Sequence, residues 1–219
     1  MNLKVLNLYA CLGGNRYKWD EVTDIDVTAV ELDLHAAELY QERFPNDTVI
    51  VADAHAYLLN HYKEFDFIWS SPPCPTHSRI MYSLKKQCKM QYPDMRLYQE
   101  VILLQSFFDG KYVVENVVPH YEPLIPAKKR GRHLYWTNFA LPNVLSKRQP
   151  PSMTTHGNRP AHDWQAFADF HEVDVSKYKG KQSKGKMARN LVDYEAGKRI
   201  FETACGIIRQ QDQRQLQLL

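Results

Sequence analysis

Short runs of apolar residues alternate with segments of helical spacing along much of the chain. The apolar runs predict buried strands at residues 4–9, 26–31, 48–51, 65–70, 111–115 and 133–139. Apolar residues recur every three or four positions in residues 33–44, 94–108 and 188–209, which predicts helices there. Because strands alternate with helices, we expect an α/β fold: a doubly wound, mostly parallel sheet that binds its ligand at the carboxyl ends of the strands.

The periodicity is lost between residues 140 and 186, where prolines and glycines are frequent. This composition predicts an irregular segment. The glutamine-rich end of the chain, residues 211–219 included, is predicted to be a fraying tail.

The composition is that of a globular protein with one sizeable core. The chain has 219 residues, of which 44% are hydrophobic and 24% charged, and this excludes a disordered chain, a collagen and a small disulfide-stapled scaffold. No apolar run approaches the roughly 18 residues that a membrane span needs, and the first residues lack the apolar stretch of a secretion signal. The predicted location is therefore the cytoplasm, without membrane association.

Charge and cysteine content add two weak constraints. The formal net charge is +3, and basic residues gather at 128–132 and 177–189, which is compatible with nucleic-acid binding but also with ordinary solvated faces. The four cysteines include no Cys-x-x-Cys pair, so we expect free thiols and no metal site.

Polar groups follow several predicted strands at their carboxyl ends. Gly13-Gly14 follows the first strand, Glu31 ends the second and Asp53 follows the third. A carboxylate at the end of the second strand commonly binds ribose hydroxyls, and an acid after the third can accept from an adenine amino group. These positions favour an adenosine-containing cofactor, although each acid could instead cap a helix.

Cys74 lies in the Pro-Pro-Cys loop that ends the fourth strand. Prolines hold the loop at low entropic cost, and a thiolate is a strong nucleophile near neutral pH. Glu115 ends another strand and would bring a carboxylate to the same edge. The alternative is a buried cysteine that acts as a small hydrophobic residue.

Five segments, in order, resemble the motifs of the DNA cytosine-5 methyltransferases. Residues 71–78 resemble the catalytic loop of that family, 115–117 its Glu-Asn-Val motif and 130–132 its Arg-x-Arg motif. Residues 7–14 resemble the first cofactor motif, and 188–192, taken to open the last helix, resemble the Gly-Asn-x-Val motif. The resemblance extends over nearly the whole chain.

Two of these motifs depart from the family pattern. Asn7 stands where the first motif has an acid, and Cys11 stands where it has its first glycine. The glycine of the last motif is also replaced. These departures keep open the alternative of a catalytically silent DNA-binding protein.

The resemblance implies a Rossmann-like class I fold that uses S-adenosyl-L-methionine to methylate carbon 5 of a flipped-out cytosine in DNA. In that mechanism Cys74 attacks carbon 6 of the base, and Glu115 binds and protonates ring nitrogen 3. Arg132, together with Arg130, would hold the carbonyl oxygen of the base and orient Glu115. An RNA cytosine-5 methyltransferase with the same chemistry is the alternative enzyme.

The resemblance also implies roles for residues outside the reacting centre. Tyr9 would stack near the adenine, Glu31 would bind the ribose, Leu32 would cover the adenine and Asp53 would accept its amino group. The full cofactor set expected is Tyr9, Ala10, Leu12, Gly13, Gly14, Glu31, Leu32, Asp53, Ala54, Pro73, Asn190 and Val192. The residues expected to contact DNA are Ser78, Arg79, Lys179, Lys181, Lys184 and Lys186.

The expected organisation is one catalytic domain with a small appendage. Residues 1–139 form the cofactor-binding catalytic domain, 140–186 a reduced target-recognition segment, 187–210 a closing helix and 211–219 the tail. So short a recognition segment predicts short or relaxed specificity for double-stranded DNA, or help from a specificity partner chain, in a protein that is otherwise a monomer. The chain is similar to short enzymes of bacteriophages and prophages, for which protection of DNA from restriction is the expected role.

Overall fold

Seven strands form one sheet in the part of the chain that the computed structural model describes, residues 2–79, 91–151, 164–207 and 209. The strands are β1 (Leu3–Leu8), β2 (Ile25–Glu31), β3 (Thr48–Val51), β4 (Phe67–Ser70), β5 (Lys111–Val117), β6 (Lys128–Arg130) and β7 (His133–Thr137). Their order is β3-β2-β1-β4-β5-β7-β6. The first five pair in parallel, whereas β7 is antiparallel to β5 and β6. The expected mostly parallel sheet is confirmed.

Six helices connect or cover the strands in the described residues. They are α1 (Leu34–Arg43), α2 (Ala54–His61), α3 (Arg96–Phe107), α4 (Trp164–His171), α5 (Lys184–Arg189) and α6 (Tyr194–Ala204). Short 3-10 turns lie at Trp19–Glu21 and Tyr62–Glu64. The carboxylates of Asp33 and Asp53 accept backbone N–H bonds at the starts of α1 and α2, which fixes where each helix begins.

Several boundaries differ from the predictions. The helix expected over residues 188–209 is wrong as one element: the chain forms α5 and α6 with a break between them, and Asp193 caps α6. The segment at 188–192 therefore does not open the last helix, because it contains the end of α5 and the loop that follows. Elements α2 and β6 were not predicted, and α4 lies in the segment expected to be irregular.

Both faces of the sheet are covered by other elements, and successive strand residues point alternately into the two cores. One core joins sheet residues to α3 through Leu6, Leu8, Ile68, Val114, Leu97, Val101 and Leu104. The opposite core joins the sheet to the first 3-10 turn and α6 through Val5, Phe67, Trp69, Val113, Trp19, Ile200 and Phe201. Because both faces are covered, a ligand can reach the sheet only at its ends, of which the carboxyl edge is one.

Much of the segment after residue 163 packs against α1. Phe167 and Tyr178 share an apolar cluster with Leu12 and Ala36, and the Tyr178 hydroxyl donates to the carboxylate of Asp33. The described part of the segment 140–186 is thus fastened to the side of the sheet. Residues 152–163 of that segment, residue 210, the expected tail at 211–219 and Cys88 lie outside the described residues. In the described part, no helix has both the length and the apolar character needed to cross a membrane.

Candidate active site

A small cavity lies at the carboxyl edge of the sheet, where the loops after β1 and β4 meet the segment between α5 and α6. Five residues expected in a cofactor site line it, namely Tyr9, Ala10, Gly14, Asn190 and Val192. The cavity thus brings the first and last motifs together, although they are about 180 residues apart in the sequence. Parallel α/β sheets commonly bind their ligands at this edge.

The loop after β1 follows the path that a glycine-rich loop requires. Gly13 has a φ of +69°, and a Cβ on Gly14 would lie 2.6 Å from the carbonyl oxygen of Val192, so both positions favour glycine. Cys11, which replaces a family glycine, has a φ of +49°. The backbone therefore keeps the left-handed conformation at this position despite the side chain, at a cost of about 1–2 kcal/mol.

Asn7, which replaces the acid of the first motif, is fully buried beneath the cavity. Its Oδ1 accepts a 2.7 Å hydrogen bond from Nδ2 of Asn15, so the amide pair joins the end of β1 to the residue after the glycines. A neutral amide can therefore hold the start and the end of the loop together. The motif alignment drew attention to Asn7 but gave no signal for Asn15.

Other residues line the cavity without having been predicted. Asn7 and Cys11 are replacements within the first motif, and neither was predicted as a site residue. The full set missed is Asn7, Leu8, Cys11, Asn15, Ser71 and Leu191. Ser71 and Leu191 lie inside segments that resemble family motifs, and this position was the available signal for them.

The two acids of the expected nucleoside site hold backbone in place. Glu31 accepts from the backbone N–H of Cys11 at 2.8 Å and of Asp33 at 2.9 Å, and burial raises the pKa of its carboxyl group. Asp53 accepts from Ala56 N–H, and this bond together with the nearby Arg96 lowers its pKa. Both carboxylates lie at strand ends, as expected, and both also position the adjoining loops.

The remaining residues of the expected cofactor set do not line the described cavity. Leu32 is 68% exposed beside Glu31, and Pro73 is exposed in the loop after β4. Leu12 and Ala54 are buried in apolar clusters, and Gly13 is covered by the rings of Tyr40 and Phe44.

The Pro-Pro-Cys loop is tied to the segment that follows β5. Asn116 Nδ2 donates a 2.9 Å hydrogen bond to the carbonyl oxygen of Pro72. Further along, Ser78 forms an isolated antiparallel bridge with Pro119, and Arg79 Nε donates to the Pro119 carbonyl at 3.1 Å. Cys74 lies between these attachments, so its position is set from both sides.

Cys74 lies in an electrostatic field with opposing contributions. Burial raises the pKa of its thiol, and the negative charge of Glu115 raises it further. The positive charges of Lys186 and Arg132 act in the opposite direction. The thiol is therefore protonated at neutral pH in the ligand-free protein, and both cations are close enough to stabilise a thiolate once it forms.

Glu115 projects from the middle of β5 and is only 7% exposed. Its Oε1 lies 3.6 Å from Nε2 of His133 on the neighbouring strand β7. Burial lowers the pKa of His133, so this imidazole is neutral at neutral pH. Glu115 thus combines a buried carboxylate with proximity to the Cys74 thiol, the arrangement expected for proton transfer at a bound base.

The two arginines of the Arg-x-Arg motif differ in their surroundings. The Arg130 guanidinium donates to the carbonyl oxygens of Lys129, Leu141 and Pro142, and so fastens β6 to the segment after β7. Arg132 is exposed at the turn between β6 and β7, and its charge acts on Cys74. Of the two arginines, Arg132 is therefore the one whose charge is shown to act on Cys74.

The basic residues expected to contact DNA are spread over the surface near α5. Lys179, Lys181 and Lys186 are exposed, whereas the Lys184 ammonium lies 5.6 Å from the centre of the Trp164 ring. Lys186 is the one whose charge also reaches Cys74. Across the described ranges, the structure brings together no group of three His, Cys, Asp or Glu side chains that could hold a metal ion.

Comparison with known proteins gives one family match. The sequence model of the family described as C-5 cytosine-specific DNA methylase matches residues 3–119, more than half of the chain. This range contains the loop after β1, both acids, the Pro-Pro-Cys loop and Glu115. No curated protein sequence matches the chain.

Several solved structures are similar to the chain at low identity. The Entamoeba histolytica methyltransferase EhMeth is 15% identical, and the match covers 53% of this chain and 38% of that one, with a TM-score of 0.37. A mutant of Spodoptera frugiperda DNMT2 is 24% identical over 53% of this chain and 36% of its own, with a TM-score of 0.37. An Escherichia coli protein described as a DNA modification methyltransferase encoded within a prophage is 22% identical over 55% and 34%, with a TM-score of 0.38. The match spans little more than a third of each of these structures.

Proposed function

The chain belongs to the C-5 cytosine-specific DNA methylase family, and from this premise we propose that it transfers a methyl group from S-adenosyl-L-methionine to carbon 5 of a flipped-out cytosine in double-stranded DNA. The observation that carries the proposal is the convergence of Cys74 and Glu115 at the carboxyl edge of the sheet, next to the cavity behind the glycine loop. A nucleophile, a buried carboxylate and a ligand cavity at one edge are the components that this reaction needs.

The cavity supports S-adenosyl-L-methionine as the cofactor. Gly14 leaves no room for a side chain against Val192. Because this position carries no side chain, the two backbone segments approach each other closely and the cavity between them stays open to a ligand. Glu31 accepts one N–H bond on each carboxylate oxygen and retains lone pairs for ribose hydroxyls. When bound there, the cofactor supplies a methyl group carried on a positively charged sulfur. Tyr9, Asn190 and Val192 would contact it, with Leu32, Asp53 and Ala54 on the adenine side.

The chain's own residues account for activation of the base. The Cys74 thiol gives its proton to ring nitrogen 3 by way of the Glu115 carboxylate, which accepts the proton and passes it on, while the resulting thiolate adds to carbon 6 of the cytosine. The electron pair of the 5,6 double bond then becomes available at carbon 5, the atom that is methylated. Solvent water then takes the carbon-5 proton and the bond between carbon 6 and the Cys74 sulfur breaks. The proton on nitrogen 3 returns to the sulfur by way of Glu115, which restores the aromatic ring and the resting thiol.

Binding of the flipped base would lower the cost of forming the thiolate. Once the proton is on nitrogen 3, the positively polarised N–H group of the base donates to the Glu115 carboxylate and offsets the negative charge that opposes ionisation of Cys74 in the free protein. Arg132 and Lys186 then stabilise the sulfur against a smaller opposing charge. Arg132 is also suited to hold the carbonyl oxygen of the base, because a guanidinium donates from a planar fork.

For the DNA itself, we propose that Ser78 and Arg79 contact the strand beside the catalytic loop. Lys179, Lys181, Lys184 and Lys186 would follow phosphates, which positions a duplex without specifying its bases. Residues 140–186 would then supply a small target-recognition segment, and residues 187–210 would close the cofactor site. A cytoplasmic role in protecting phage or prophage DNA from restriction fits this assignment.

Incubation of the protein with radiolabelled S-adenosyl-L-methionine and matched DNA and RNA duplexes tests the proposal. We expect label in DNA as 5-methylcytosine, identified after nucleoside digestion, and a loss of at least about 1,000-fold in Cys74→Ser. If the label is found only in the RNA, the substrate is RNA and not DNA. An absence of transfer to any member of a random-sequence pool would favour the catalytically silent DNA-binding protein.

A further inference from the structure

A fully buried carboxylate lies next to the cofactor cavity and has no part in the chemistry proposed above. Glu100, on α3, has no exposed surface. Its Oε1 accepts a 2.6 Å hydrogen bond from the Tyr9 hydroxyl and lies 3.0 Å from Nδ1 of His55. Its Oε2 accepts a 2.6 Å bond from the Ser70 hydroxyl. A buried carboxylate is costly unless it is paired and hydrogen-bonded in this way.

The three partners of Glu100 come from three different elements at the carboxyl edge. Tyr9 begins the loop after β1 and lines the cavity. Ser70 is the last residue of β4 and precedes Ser71, which lines the cavity and leads into the Pro-Pro-Cys loop. His55 is in the first turn of α2, directly after Asp53 and Ala54. One carboxylate therefore joins the loop after β1, the end of β4 and the start of α2.

The partner that can carry a positive charge is His55. Its side chain is 12% exposed, and its hydrogen bond to Glu100 raises its pKa above the usual value, while burial and the charge of Arg96 oppose the rise. Asp53, the cap of α2, also faces it and raises the pKa slightly. Because the pKa is raised in the folded protein, the charged pair is fully formed below the ordinary pKa of about 6.5 and is lost as the pH rises through the raised value.

We infer that Glu100 and His55 are positioning residues for the cofactor: the charged pair holds Tyr9, Ser70 and the start of α2 in the arrangement that binds S-adenosyl-L-methionine, and cofactor affinity falls when His55 loses its proton. This inference rests on the proposed function, since it concerns the same cavity. Neither residue touches the reacting atoms, because Glu100 acts through Tyr9 and Ser70.

Titration of S-adenosylhomocysteine into the protein by calorimetry between pH 5.5 and 8.5 tests the inference. For the wild type we expect the affinity for S-adenosylhomocysteine to fall about tenfold as His55 loses its proton. A change of this size corresponds to a shift of about one unit in the His55 pKa when the probe binds. His55→Gln should lose this dependence and bind throughout as the wild type does at high pH. Glu100→Gln should bind at least about tenfold more weakly at pH 6. His61→Gln is the matched control, because His61 forms an exposed pair with Glu64 at the other end of the same helix, and it should keep the wild-type profile.

A second measurement covers the case in which Glu100→Gln folds poorly. The His55 ring resonances of the wild type, followed by NMR against pH, should titrate above the ordinary histidine value in the free protein. The inference is wrong if the wild type binds the probe and His55→Gln retains the wild-type pH profile, or if His55 titrates at its ordinary value. A wild type that binds no probe at any pH would contradict the proposed function itself, and the inference with it.

Discussion

At the scale of single residues, the thiol of Cys74 is the group on which the proposed chemistry depends most. It is protonated at neutral pH in the free protein, because burial and the charge of Glu115 outweigh Lys186 and Arg132. The side chain whose negative charge suppresses the nucleophile is also the one that would pass the thiol proton to the base. Activation of the thiol and recognition of the substrate are thus coupled through one side chain.

Glu115→Gln separates these two effects. Removing the negative charge should lower the pKa of Cys74, so alkylation of this thiol by iodoacetamide at pH 7.5 should become several-fold faster. Methyl transfer should nevertheless fall by about 10²–10⁴-fold, the usual contribution of a general acid or base. Mass spectrometry of the Cys74 peptide against time gives the first rate, and labelled product gives the second.

Glu122→Gln serves as the control for that experiment, because Glu122 is an exposed carboxylate a few residues beyond β5. It should change neither rate. Slower alkylation in Glu115→Gln than in the wild type would contradict the conclusion that the Glu115 charge raises the pKa of Cys74.

Single residues also show how far the sequence could predict the site. Cys74, Glu115 and Gly14 belong to local motifs, so they could be assigned without a structure. Glu100 could not be assigned in this way, because its partners lie 30 to 91 residues away in the sequence. Only the fold brings them together.

At the scale of elements, the loop after β1 and the segment between α5 and α6 form the cavity by close contact of their backbones. Gly14 marks the point of contact, since a Cβ there would lie 2.6 Å from the Val192 oxygen and 3.0 Å from the Leu191 Cβ. Backbone cannot move aside as a flexible side chain can. This contact should therefore control both stability and cofactor binding.

Gly14→Ala should destabilise the protein by about 1–3 kcal/mol, the usual cost of overpacking, and should weaken cofactor binding. Gly185→Ala is a matched control: the new methyl group would meet the Trp164 Cβ at an ordinary 3.6 Å, and alanine favours the helix by about 0.5–1 kcal/mol. Urea unfolding and calorimetry measure both effects. Equal stability of the two variants would rule out the close contact.

The elements that the sequence did not predict have identifiable reasons. Strand β6 consists of Lys128, Lys129 and Arg130, a basic run that indicates a solvated surface and not a strand. These residues form a strand because β7 pairs with them. The expected last helix is interrupted because the Asp193 side chain accepts from Glu195 N–H and starts a new helix. Apolar spacing alone cannot reveal a cap that lies inside an apolar pattern.

At the scale of the whole molecule, the described residues after 163 are continuous with the catalytic core. Phe167 is 7% exposed in the cluster shared with α1 and the glycine loop. Arg43, at the end of α1, donates to the carbonyl oxygens of Leu12, His171 and Glu172. We therefore expect α4, α5 and the sheet to unfold together rather than as separate units.

Phe167→Ala should lower the free energy of unfolding of the whole protein by about 3–5 kcal/mol, as removal of a buried aromatic ring usually does. Phe107→Ala provides the comparison, because Phe107 is 62% exposed and a surface change of this kind should cost less than about 0.5 kcal/mol. Circular dichroism in urea should give one transition for each protein. A separate early transition in Phe167→Ala would mean that the segment folds independently of the sheet.

The central claim is that Cys74 forms a covalent bond to carbon 6 of cytosine during methyl transfer, and trapping that bond tests it most directly. In duplex DNA containing 5-fluorocytosine, the fluorine at carbon 5 cannot leave as a proton does, so the enzyme should remain attached after methylation. We predict a protein–DNA adduct that survives denaturation, requires S-adenosyl-L-methionine, persists in the Cys205→Ser control and disappears in Cys74→Ser. An adduct that persists in Cys74→Ser, or methylated product formed by that variant, would contradict the account.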